Sequence, residues 1–164
     1  MRRTCTALIL FFLFLITAAT ATAQDGALVK LKSEVLKETQ IVNEQGEKET
    51  LFVPVSSAMP GEVLTFTISY VNEGDEEARD ILLTNPVPEH MVYEGESAAG
   101  EGSRISYSVD GGVTYGAPDS LSVTGDDSKK RQAVPSDYTH IRWQLIDPVP
   151  PGGNGVVTFR ASVK

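Results

Sequence analysis

Cysteine is almost missing from this chain. Among 164 residues there is one, Cys5, and it lies in a segment with the marks of an export leader. A disulfide framework is therefore excluded, and once the leader is removed so are a thiolate nucleophile and a cysteine metal ligand. Histidine is scarce as well: His90 and His140 are the only two, too far apart in sequence to offer the ligand spacing of a zinc site. Basic residues are outnumbered, 14 Lys and Arg against 22 Asp and Glu. That balance argues against DNA, RNA or an anionic membrane surface as partner, since each needs a basic patch. There is no G-x-S-x-G elbow for a Ser-His-Asp site and no spaced D-x-D-x-D-G loop for Ca²⁺.

What is present begins with the leader. Met1-Arg2-Arg3 gives a positive start, Ala7 to Ile16 is an uncharged apolar run, and Ala21-Thr22-Ala23 supplies the small residues a signal peptidase requires. The apolar run is short for a membrane span, so cleavage after Ala23 is expected and the mature chain is not expected to insert in a membrane. Residues 1–23 are thus read as signal peptide and 24–164 as one domain, 141 residues with 12 basic and 22 acidic side chains, net −10. Cys5 stands too far upstream of the cleavage site to become a lipidated N-terminus. The end at Lys164 carries no hydrophobic tail or sorting motif, so any attachment is expected to be non-covalent.

The mature sequence is written in period two. Leu64, Phe66, Ile68 and Tyr70 alternate with Thr65, Thr67 and Ser69 after the turn dipeptide Pro60-Gly61, which predicts a half-buried antiparallel strand. Asn72-Glu73-Gly74-Asp75 reads as a turn, and Ala78 to Thr84 as a second strand expected beside the first. Neither Pro86 nor Pro88 offers a ladder N–H, so the chain is expected to leave the sheet there. Ala27 to Val42 is read as a strand and Leu51 to Val55 as its hairpin partner or a strand switching sheets, with Pro54 at an edge. Met91 to Tyr93 is a short strand. Ile105 to Val109, turned by Asp110-Gly111-Gly112 and returning through Val113 to Tyr115, is read as a hairpin. Leu121 to Val123, His140 to Ile146 and Val156 to Val163 complete about eight or nine strands, with Trp143 as the expected centre of the core. Glu94 to Ser103 and Gly125 to Pro135 are read as solvent loops, the second as the most mobile.

The order Pro-Gly, Thr/Ile strand, Asn-x-Gly, apolar strand and proline-closed loop resembles the DUF11 repeat domain of bacterial and archaeal cell-envelope proteins. Tyr107-Ser108-Val109-Asp110-Gly111-Gly112, Tyr138 to Trp143 and Pro151 to Phe159 extend the resemblance over most of the chain from Pro60. One departure is Asn85-Pro86-Val87-Pro88, where many members have Asp-x-Leu-Pro. The resemblance implies an immunoglobulin-like antiparallel β-sandwich outside the cytoplasm and implies no enzyme activity.

The residues that carry chemistry point the same way. His90 and His140 read as surface or strand-end histidines. Glu73, Asp75, Glu76, Glu77 and Asp80 read as a solvated turn; with Asp126 and Asp127 they are the candidate oxygen ligands for Ca²⁺. Gly152-Gly153-Asn154-Gly155 precedes a strand, so it reads as a turn, because a phosphate cradle needs a helix behind it. Lys30 and Lys32 are candidates for an isopeptide bond to an asparagine. Phe52, Phe66, Phe159, Tyr70, Tyr93, Tyr107 and Trp143 read mostly as core, while Tyr115 and Tyr138 flank loops and are the aromatics to test for exposure to a ligand. No catalytic, cofactor-binding or metal residue is assigned. The function expected is that of a secreted, non-enzymatic module, periplasmic or at the surface, contacting a protein partner or serving as a structural component of the envelope. Contact is expected through sheet edges or through the loops 94–103 and 125–135. The alternative is a carbohydrate- or calcium-binding accessory module, which requires exposed aromatics or a cluster of inward-pointing carboxylates. A hydrolase would need a cleft with His90 or His140 beside an acid.

Overall fold

A computed structural model describes residues 26–125 and 128–164. The leader, its cleavage site, Cys5, Asp126 and Asp127 lie outside them. The chain is an all-β sandwich of antiparallel strands. The larger sheet has the order β2 (Lys48–Pro54), β1 (Val29–Val42), β3 (Val63–Asn72), β11 (Asn154–Val163) and β5 (Met91–Tyr93), and β6 (Ala99–Gly100) adds to β11 beside β5. The smaller sheet is β4 (Leu82–Pro86), β10 (His140–Leu145) and β7 (Ser103–Ser108). A ribbon of β8 (Ser122–Thr124) and β9 (Lys130–Gln132) completes the described strands.

Alternation places the core between the sheets. On β3, Leu64, Ile68 and Tyr70 are buried; opposite Ile68 and Leu64 on β11 stand Val157 and Ala161, also buried. Phe66 faces Phe159 in register and stacks on it, ring centroids 4.7 Å apart. From the other sheet Ile141 and Trp143 are fully enclosed, and the Trp143 ring lies 6.2 Å from that of Phe159. Gly100 is fixed by this packing: a Cβ there would come within 2.9 Å of Trp143 Cδ1 and 2.8 Å of Val157 Cγ1. The small strand β6 therefore closes over the tryptophan, although the acidic, small-residue segment around it reads as plain loop in the sequence.

Three other expectations are corrected. The segment after Gly74 does not pair with β3; β4 belongs to the opposite sheet and borders β10. It ends at Pro86, where the chain leaves the sheet as expected. A proline is tolerated because β4 is an edge: the next N–H, of Val87, donates to Thr139 O at 2.8 Å, so position 86 faces the open side. Val113 to Tyr115 is not a returning strand, and only an isolated bridge joins Tyr107 to Gly116. The stretch 125–135 is not all loop, since Lys130–Gln132 is β9. Pro54, by contrast, does sit on an edge strand, β2.

The transition from β3 to the opposite sheet is organised by Asn72, which is fully buried. Its Nδ2 donates to Glu76 O (2.7 Å) and Val149 O (2.9 Å), and its Oδ1 accepts from the N–H groups of Leu28 (3.2 Å) and Gly74 (3.1 Å). Its own N–H donates to Gly153 O and its carbonyl accepts from Gly152 N–H. A buried amide is tolerated only when its hydrogen-bonding capacity is met, as it is here. Asn72→Ala leaves two N–H and two C=O groups without that partner, and is predicted to cost on the order of 2–4 kcal/mol. In urea the midpoint should fall with an unchanged slope. A loss below about 1 kcal/mol, the size of an ordinary surface change, would show that these segments hold without the amide.

Candidate binding surface

The part of the molecule least supported by the core is a hairpin. From Leu36 onward β1 pairs with β2, whereas its pairing with β3 ends at Lys37 opposite Leu64. Beyond that point β1 and β2 form a two-stranded arm. The register puts Ile41 on one face with Leu51, and Val42 on the other with Phe52. All four are exposed, Phe52 to 55% and Val42 to 67%. Phe52 is thus corrected from core to surface. Period two cannot separate a strand facing a core from one facing water with apolar side chains.

The base of the arm is tied down. Lys37 Nζ donates to Glu62 Oε1, and the other oxygen of Glu62 accepts the N–H of Met59 at 2.9 Å. The bond from Lys37, with help from the Met59 N–H, holds the Glu62 carboxyl below its ordinary pKa. Pro60-Gly61 therefore turns the chain directly beneath the arm, and Gly61 adopts φ 86° there, a conformation few other residues accept.

A second feature lies where the two loops named from the sequence meet. Gly95 and Glu96 from one, and Ala133, Val134 and Pro135 from the other, join Tyr93, Tyr107 and Tyr138 around a cavity of about 350 Å³. Tyr138, one of the two aromatics to test for exposure, is buried. It stacks on Tyr107 at 4.6 Å, and Tyr93 lies 5.5 Å and 5.8 Å from the two rings. One wall is fixed by Arg131, whose guanidinium grips Asp137 with two bonds of 2.6 Å and 2.8 Å while the same carboxylate accepts the N–H of Val134. That guanidinium is the main reason Asp137 ionises more readily than usual.

Tyr115, the other aromatic to test for exposure, is half-buried under Arg142, whose guanidinium carbon sits 3.4 Å from the ring centroid. His140 Nδ1 lies 3.2 Å from Thr139 Oγ1, and His90 is exposed with its carbonyl accepting from Lys164 N–H. Among the described residues neither imidazole is bonded to a carboxylate. Glu73 pairs with Lys30 and Glu77 with Arg79, while Lys32 pairs with Glu34. Both lysines considered for an isopeptide bond are thus solvent-exposed and ion-paired with acids. Among the described residues no three His, Cys, Asp or Glu side chains gather where a cation is held.

Asp110, read from sequence as a turn residue, organises a loop through its carboxylate. Its Oδ1 accepts Ser108 Oγ–H (2.7 Å) and the N–H groups of Val113 (3.1 Å) and Thr114 (2.9 Å); its Oδ2 accepts Thr114 Oγ1–H (2.6 Å). Ser108 Oγ in turn accepts the Gly112 N–H at 2.9 Å. This network replaces the expected return strand.

Searches of family models, curated proteins and solved structures return no match to this chain.

The Thr114 hydroxyl and N–H, followed by Ser108, push the Asp110 carboxyl far below its usual range. A depressed folded-state pKa contributes stability above the unfolded value of about 3.9, and loses it as pH falls through the folded value. The stability gap between the native chain and Asp110→Asn should therefore be widest at neutral pH and narrow below about pH 4. Urea midpoints at pH 7, 4 and 3 measure it; a gap that stays constant contradicts the carboxylate's role.

Proposed function

We propose that this chain is a secreted, non-enzymatic β-sandwich module of the DUF11 kind that works by protein contact in the cell envelope, periplasmic or at the surface. The β1–β2 arm is its contact element. The supporting observation is the arm itself: two strands with exposed apolar side chains on both faces and, among the described residues, no sheet packed against them. A lone two-stranded hairpin is marginal in water, so such an arm gains most of its order when another surface covers it. The outer edge of β2 adds a row of backbone donors and acceptors for an extended partner segment. Its charged residues, Lys48 and Glu49, and Pro54 restrain indiscriminate pairing. The net negative charge favours a partner reached without a nucleic acid or an anionic membrane.

The alternative of a carbohydrate- or calcium-binding accessory module has weaker support. Most of the aromatic rings are packed inside, which leaves little stacking platform, and in the 73–80 turn Glu73 and Glu77 are paired with Lys30 and Arg79.

Fractionation of native cells tests the reading. The protein is expected to stay with the washed envelope until salt or detergent releases it. Phe52→Glu should shift it to the soluble fraction while thermal stability changes by no more than about 0.5 kcal/mol, as for a surface substitution. Recovery of both forms in the soluble fraction, or retention of both by the envelope, contradicts the arm as contact element.

A further inference from the structure

The tyrosine-lined cavity carries an inference independent of the arm. Three phenolic O–H groups converge there, from residues each more than nine-tenths buried. Tyr93 Oη and Tyr107 Oη are 3.2 Å apart and share one proton between them, while Tyr93 Oη also accepts the N–H of Ala98 at 3.0 Å. Tyr138 Oη forms no hydrogen bond with any described residue, yet it is not among the buried unpartnered atoms, which are Arg142 Nε and Trp143 Nε1. Its oxygen is therefore open to solvent, and Tyr138 is one of the residues that line the cavity. Among the described residues, one of the three phenolic protons has an acceptor. A phenolic donor that borders a cavity and has no protein acceptor is suited to a ligand that brings one.

We propose that this cavity binds a neutral, apolar, ring-sized group through a carbonyl oxygen, the chemistry of a tertiary amide such as the prolyl peptide bond. The walls decide the rest of the ligand. Ala133, Val134, Pro118 and Pro135 offer methyl and ring surface, which suits an apolar body. A tertiary amide has a strong acceptor and no N–H, so it leaves no donor of its own unpaired against those walls. Besides the tyrosines only Gln132 and Glu96 bring polar side chains to the lining, too few to pair the many hydroxyls of a sugar. An anion is disfavoured because Glu96 stands at the rim, with Glu94 in the same loop and Asp137 behind Tyr138. Burial, and for Tyr107 its bond to Tyr93, keeps the phenols of Tyr107 and Tyr138 protonated well above their ordinary range, so both remain donors at every physiological pH. The volume is at the small end for ligand sites, which fits one ring and its flanking amide.

The test is a ¹H–¹⁵N titration of the labelled protein with N-methylpyrrolidone and, separately, with a capped Ala-Pro-Pro-Ala peptide; acetate and glucose are the comparison solutes. Both amides, or one of them, should give saturable shifts at Gly95, Glu96, Ala98 and Ala133, and acetate and glucose should not. Tyr138→Phe keeps the stacked ring and removes one donor, so binding should weaken about tenfold with the melting temperature unchanged. Tyr107→Phe is the second variant, should the first lose its fold. Tighter binding of the peptide identifies an extended chain as the source of the amide, and tighter binding of the free cyclic amide identifies a small molecule. No saturable shift with either amide, equal binding by the phenylalanine variant, or tighter binding of glucose or acetate overturns the proposal.

Discussion

The buried amide of Asn72 is the constraint on which the arrangement depends. It sits where β3 ends and holds the start of β1, the turn that follows β3, and the Val149 to Gly153 segment that leads into β11. Those are the chain segments that must meet for the larger sheet to form with the order β1-β3-β11. A hydrophobic residue in its place would leave backbone groups of several segments unpaired at once, so the position is set by hydrogen-bond geometry and not by hydrophobicity. The arm leaves β1 at the opposite end, beside the start of β3. The molecule is thus pinned at one end of its central strands and open at the other.

The two sheets are unequal, and the inequality shapes the surface. Three strands of the smaller sheet cover β3, β11 and β5, whose inward side chains are buried or, like Phe66 and Met91, partly buried. Beyond Val29, which packs against the core, β1 leaves that cover: Leu31 shares the inward face with Tyr70 and is still more than half exposed. The β1–β2 arm extends this uncovered region. On the far side the tyrosines bridge the sheets, Tyr93 from the large one and Tyr107 from the small, with Tyr138 stacked between loop and core. There the packing leaves a cavity lined by three phenols.

Much of the fold was legible because burial on one face imposes period two. β3, β10 and β11 show it, and Trp143 lies at the centre of the core as its place in that pattern implies. What pattern could not give is which strand neighbours which. Ala78 to Leu83 is apolar enough to pair with β3, but the Asn72 amide and the Ala78–Val149 bridge turn the chain toward the other sheet. The Asp110-Gly111-Gly112 turn looked like a hairpin because its glycines are hairpin residues; the carboxylate instead captures the donors of residues 113 and 114. Of the surface features, the loops 94–103 and 125–135 were named from composition, but nothing in composition reveals that they share a cavity. Tyr138 flanks a loop, which points to exposure, while its burial comes from Tyr107, a long way back in sequence.

A sandwich locked at the Asn72 end thus carries an arm that the core does not stabilise. Hydrogen exchange followed by mass spectrometry tests this most directly. The amides of Gly74, Ala78, Val149 and the central β3 and β11 residues should exchange only through global unfolding, whereas those of residues 38–52 should exchange through local opening orders of magnitude sooner. Equal protection of arm and core in the isolated protein would contradict the account, since the arm would then need no partner to order it.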